Sequence, residues 1–152
     1  MTKRKTKSLE ALSKAELDRM AALRMQMLEL HPFWGYLLMQ VKLVPAPALE
    51  CIAATDCVRH IWFNPTKTQH LDYEQLGFVL AHEVGHQVLV STSRRRGRNP
   101  LLWNCATDYA INRIVRMIDH PAKPGHPLYE VPQGELPELG ELKILLDDQW
   151  EG

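Results

Sequence analysis

Residues 78–90 read FVLAHEVGHQVLV, an apolar run interrupted by His82, Glu83 and His86. Burying two imidazoles and a carboxylate is costly unless something binds them. The three residues spell H-E-x-x-H. On a helix, positions i and i+4 share a face about 6 Å apart, so both imidazoles can converge on one ion at about 2.1 Å. Glu83 points about 100° round the helix, too far to be a third ligand. It can instead reach a water on that ion and take its proton. The pattern gives two metal ligands, His82 and His86, and one general base, Glu83. Phe78, Val79 and Leu89 share the histidine face, while Leu80, Val84 and Val88 cover the other side, so the helix should be central. Gly85 would let a neighbouring element approach closely, at a cost in helix propensity. Asp72, with Gln75 three residues on, marks the start of this helix, which should end near Ser91.

Catalytic zinc takes three protein ligands and a water. The third should come from the next helix, expected from about Leu101 to Asp119. Its sequence LLWNCATDYAINRIV places Asn104, Asp108 and Asn112 on one stripe, flanked by Leu101, Ile111 and Val115. A carboxylate between two amides on an inward face is not a solvated surface. Asp108 is therefore assigned as the third ligand, with Asn112 or Asn104 orienting Asp108 or His82. Cys105, beside the stripe, is a rival ligand or a small core residue. No histidine lies between His86 and His120, which excludes patterns that need a close downstream histidine. Cys57, His60 and His70 fit no compact zinc template.

Upstream, Ser13 and Glu16 match a capping box, so a first helix is expected to begin after Ser13. HPFWGYLLMQ (31–40) should open a short helix with Pro32 in its first turn. VKLVPAP (41–47) and LECIAAT (49–55) read as extended, with Pro45 and Pro47 placing the former at a sheet edge or bend. VRHIWF (58–63), ending at Asn64-Pro65, gives a good strand signal and is taken as the edge strand beside the H-E-x-x-H helix. STSRRRGRNP reads as a loop. The chain after Pro121 should be mostly irregular, apart from a short helix at 140–149. The expected fold is α+β.

Of the 152 residues, 45% are apolar and 24% charged, as in an ordinary soluble protein of one domain. Eighteen basic and eighteen acidic residues cancel, giving no global reason to expect nucleic acid or anionic lipid as a partner. Three cysteines point to a reducing compartment rather than a disulfide scaffold. The charged N-terminus does not resemble a secretory signal, and no apolar run reaches bilayer length. These features place the protein in the cytoplasm, off the membrane. The organisation expected is a basic, unstructured arm at 1–12, one domain at 13–130 and an acidic, proline-containing segment at 131–152.

The combination of HIWFNP, LAHEVGH, an arginine-containing loop and LWNCATDYAIN, with AATD at 53–56, resembles a metallopeptidase domain of bacteria and phages. In many relatives that domain precedes a von Willebrand factor A-like domain. The resemblance spans roughly residues 40–130. It implies a minimal zincin-like fold: a small mixed sheet with an edge strand, a central H-E-x-x-H helix and a second long helix. It also implies Zn²⁺ held by His82, His86 and Asp108, with Glu83 as catalyst. Gluzincins complete their site with a glutamate on a second helix. The shorter Asp108 would require the two helices to come closer. The chain stops at Gly152, short of a second domain, so a separate protein partner would stand in for it.

The function expected is zinc-dependent cleavage of a peptide or protein substrate, which pairs with strand 58–63. Tyr109, His126 and Tyr129 are candidates to assist the oxyanion. The alternative is a zinc-stabilised interaction module with little turnover, whose basic runs touch a partner. The acidic segment from about residue 130, opposite in charge to Arg94, Arg95, Arg96 and Arg98, is a candidate lid over the cleft.

Overall fold

The structure, a computed structural model, describes residues 3–89 and 91–129. Helix α1 spans Lys3–Leu30 and α2 Pro32–Met39. The expected unstructured arm is corrected for residues 3–12, which are helical. No glycine or proline interrupts residues 3–30, and lysine, leucine, glutamate and alanine dominate them, all good helix formers. Ser13 thus lies inside α1 and caps nothing. Glu16 is buried instead, accepting a hydrogen bond from Thr68 Oγ1 at 2.8 Å and pairing with Arg19 at 3.1 Å. Met20, Leu23 and Met27, at helical spacing, form the fully buried face of α1.

Three strands follow: β1 (Lys42–Pro45), β2 (Ala53–Thr55) and β3 (His60–Phe63). Their order is β1-β3-β2, with β1 parallel and β2 antiparallel to β3. The sheet is small and mixed, as expected, but the edge assignment is corrected. Strand β3 lies in the middle, and β2 is the edge nearest the H-E-x-x-H helix. Ile61 and Phe63 alternate into the core and are fully buried, as befits a central strand. The β2–β3 connection is held by Asp56 Oδ1, which accepts from the backbone N–H groups of Val58, Arg59 and His60 at 2.9–3.0 Å.

After the short α3 (Pro65–Thr68), helix α4 spans Tyr73–Val88. Asp72 caps it, and the reciprocal bonds with Gln75 complete the expected capping box. Leu76, Phe78, Leu80, Ala81 and Val84 are buried, so α4 is central, although Val88 at its end is exposed. The expected loop holds a single turn, α5 (Ser91–Arg94), before α6 (Pro100–Arg116), capped by Asn99. Helices α4 and α6 meet where Gly85 faces Ile111: a Cβ at Gly85 would lie 2.5 Å from Ile111 Cγ2. The close approach anticipated from the glycine and the short Asp108 side chain is thus present.

Beyond α6, a hairpin of β4 (Asp119–His120) and β5 (Lys123–Pro127) replaces the irregular chain expected from its prolines. Leu128 and Tyr129 then fold back into the core, the Tyr129 ring covering Gly77. The anticipated helix at 140–149 and the acidic segment 131–152, with its proposed role as a lid, fall outside the described residues. Among the described residues no helix is long and apolar enough to cross a membrane.

Candidate metal centre

Helix α4 presents His82 and His86 one turn apart, and α6 presents Asp108 opposite them. His82 Nε2 lies 3.1 Å and His86 Nε2 3.0 Å from Asp108 Oδ1, and the two imidazole nitrogens are 3.2 Å apart. The three donors make a nearly equilateral triangle. Four ligands placed tetrahedrally at about 2.0–2.1 Å from a metal would be about 3.3–3.4 Å apart. The donor set therefore fits one face of such a site with little adjustment. It is the one group of three potential metal ligands among the described residues.

The ring of His82 is fixed from behind. Its Nδ1–H donates to Asn112 Oδ1 at 2.5 Å, which turns Nε2 toward His86 and Asp108. Asn112 is buried. Phe78, one turn earlier on α4, stacks against the His82 ring with centroids 6.3 Å apart. Burial alone would lower the pKa of His82. The hydrogen bond with Asp108, the charges of Glu83 and Asp108, and the bond to Asn112 outweigh it and raise the pKa above its ordinary value. Burial likewise works against Asp108 ionisation, but hydrogen bonds from both histidines, and their charge, hold its carboxyl at about 2. In the metal-free chain the cluster thus retains protons that an ion must displace.

The triad opens into a cavity of about 450 Å³, a volume suited to a ligand. One wall is β2 with its flanks, from Cys51 to Thr55; another is α4, with Phe78, Val79 and Glu83; the third is α6, with Trp103, Asn104 and Asp108. Glu83 is 8% exposed and lies on this cavity rather than in the triad, matching its expected separation from the ligands.

Other sequence candidates do not gather here. Cys105 is not on the cavity, so it does not compete with Asp108. Tyr109, His126 and Tyr129 do not line it either. Tyr129 is buried against Gly77, its hydroxyl meets no hydrogen-bond partner among the described residues, and burial pushes its pKa up to about 12. His60 is engaged by Asp56 Oδ2 at 2.8 Å and stacks on Trp62, while His70 is exposed. Two cavity residues, Arg95 and Trp103, were not assigned to the metal site from the sequence. Arg95 entered the sequence reading only as one of four arginines facing the acidic segment, and Trp103 only as part of LWNCATDYAIN.

A family model described as "Putative metallopeptidase domain" matches residues 14–142. The chain belongs to this family. The metallopeptidase-domain match reaches beyond the motif-bearing region at both ends, taking in α1 from Lys14 onward and the β4–β5 hairpin. Both the Glu16–Thr68 clasp and the His82–His86–Asp108 cluster fall within it. No curated protein and no solved structure matches the chain.

Proposed function

We propose that the protein is a zinc-dependent peptidase, with His82, His86 and Asp108 holding the ion and Glu83 acting as general base. The observation that carries this reading is the donor triangle of 3.0–3.2 Å with a buried carboxylate beside it on the same cavity. Bound there, the ion would supply Lewis acidity, bringing the pKa of a water toward neutrality and drawing charge from a scissile carbonyl.

The chain's own groups do the rest. Glu83 accepts the proton of the attacking water and delivers it to the leaving amine. Asn112 keeps the His82 ring in one tautomer. Strand β2, at the sheet edge, offers backbone groups to an extended peptide, and its side chains Ala53 and Ala54 are small enough for close approach. The peptide-pairing role expected of 58–63 passes to β2, because β3 is enclosed between its neighbours.

Metal analysis of the purified protein should find about one zinc per chain. Glu83→Gln should keep the metal and lower peptide hydrolysis roughly 10²–10⁴-fold, the usual contribution of a general base. A zinc-loaded chain that cleaves nothing, or a Glu83→Gln variant as active as the original, would leave a metal-stabilised interaction module as the reading.

A further inference from the structure

We infer that Arg95 makes this cleft selective for substrates carrying a carboxylate near the scissile bond; the inference rests on the peptidase reading of the same site. Four arginines occupy 94–98, and the fold uses them differently. Arg94 Nη1 donates to the Leu89 carbonyl at 3.3 Å, and Arg98 Nη1 donates to the Arg94 carbonyl at 2.7 Å. The Arg98 guanidinium also lies over the Trp103 ring, 4.9 Å from its centroid. Arg96 adopts φ 52°, in the left-handed region, which reverses the chain. Of the four, Arg95 alone lines the metal cavity. It is half-buried and meets no carboxylate among the described residues.

Charge balance gives this arginine its role. The charged residues on the cavity are Glu83, Asp108 and Arg95. A dication at the triad offsets the two carboxylates and leaves the guanidinium without a counter-charge among the described residues. A partly desolvated cation gains most from an anion brought by a ligand, and guanidinium matches carboxylate in a two-bond fork. On the same cavity, Trp103 offers an aromatic ring, itself held by Arg98. Strand β2, which forms another part of the wall, suits an extended backbone. The ligand that satisfies both is a peptide whose carboxylate comes from an acidic side chain or from its own C-terminus.

Binding and cleavage are measured separately on the full chain loaded with zinc. The Glu83→Gln variant, which holds but does not turn over peptide, is titrated with four matched peptide sets. These are neutral with an amidated end, neutral with a free C-terminus, internally acidic with an amidated end, and internally basic with an amidated end. At least one carboxylate set should bind roughly 10- to 100-fold tighter than the neutral amidated set, the range for a charge-assisted hydrogen bond, and which set does so identifies the source. Adding Arg95→Gln should reduce that preference to within about twofold with unchanged zinc content, and Arg95→Lys should restore part of it. Equal binding of all sets, no binding of any, or a preference that survives Arg95→Gln overturns the inference. Arg95-dependent carboxylate binding by a chain that cleaves none of the peptides sustains it and sinks the peptidase reading instead. Cleavage indifferent to carboxylates does the reverse.

Discussion

Asn112 touches no substrate, yet it decides how His82 is presented. Its Oδ1 accepts a hydrogen bond from Nδ1–H, and Nε2 faces the other two donors as a consequence. Asn112→Ala should therefore weaken metal binding roughly 10- to 100-fold, the usual cost of losing a histidine's outer partner. Asn104→Ala, on the same stripe but exposed, should change it little. Competition with a chromogenic chelator measures both, and equal losses would deny Asn112 its orienting part. The stripe 104–108–112 was legible in the sequence because helical periodicity puts the three residues on one face. Which amide serves His82 was not, since that depends on how far α6 slides along α4. Arg95 was illegible for a related reason: which of four neighbouring arginines lines the cavity depends on how the 94–98 segment is placed between α4 and α6, and the composition of the run does not encode it.

At the scale of elements, the site depends on two helices held close at one point. Ile111 occupies the space that a side chain at position 85 would need. Gly85→Ala should gain helix propensity of up to about 1 kcal/mol but lose about 1–3 kcal/mol to overpacking, for a net loss of stability and of metal affinity. Ile111→Val should recover part of both in the double variant, and thermal melts of the four-member cycle give the coupling. Additive effects would place the strain elsewhere. Local signals placed α4 well, because the Asp72–Gln75 box and the apolar period are written within a few residues. The same box pattern misled at Ser13–Glu16, where Glu16 serves Thr68, 52 residues away. The central place of β3 was hidden likewise: a strand's neighbours are chosen by pairing across the chain, and no property of HIWF alone encodes them.

Across the whole molecule, protons and metal should act on stability in opposite directions. His82 is raised above its ordinary pKa in the metal-free chain. Its contribution is therefore fully present below the unfolded value, about 6.5, and is lost as pH rises through the folded value. Asp108 is held at about 2, so its contribution is present above the unfolded value, about 3.9, and lost as pH falls toward 2. The metal-free chain should thus lose site stability as pH rises above about 6.5. The increment from metal should grow over the same range, as fewer protons compete for the ligands, reaching about 4 kcal/mol at a thousandfold excess over Kd. Melting curves with and without chelator should converge below about pH 6.5 and diverge as pH rises above it. Parallel curves would mean that His82 does not take part.

Tyr129 carries a practical consequence. Its ring seats on Gly77, on the helix that bears both histidines, and it is 4% exposed. A shortened version ending at 128 would leave a ring-sized void beneath that helix, and such losses of a large buried aromatic cost about 3–5 kcal/mol. One ending at 130 would keep the ring. One aromatic side chain thus acts as a plug under the histidine helix, and any trimming of this domain for crystallisation or fusion should keep Tyr129.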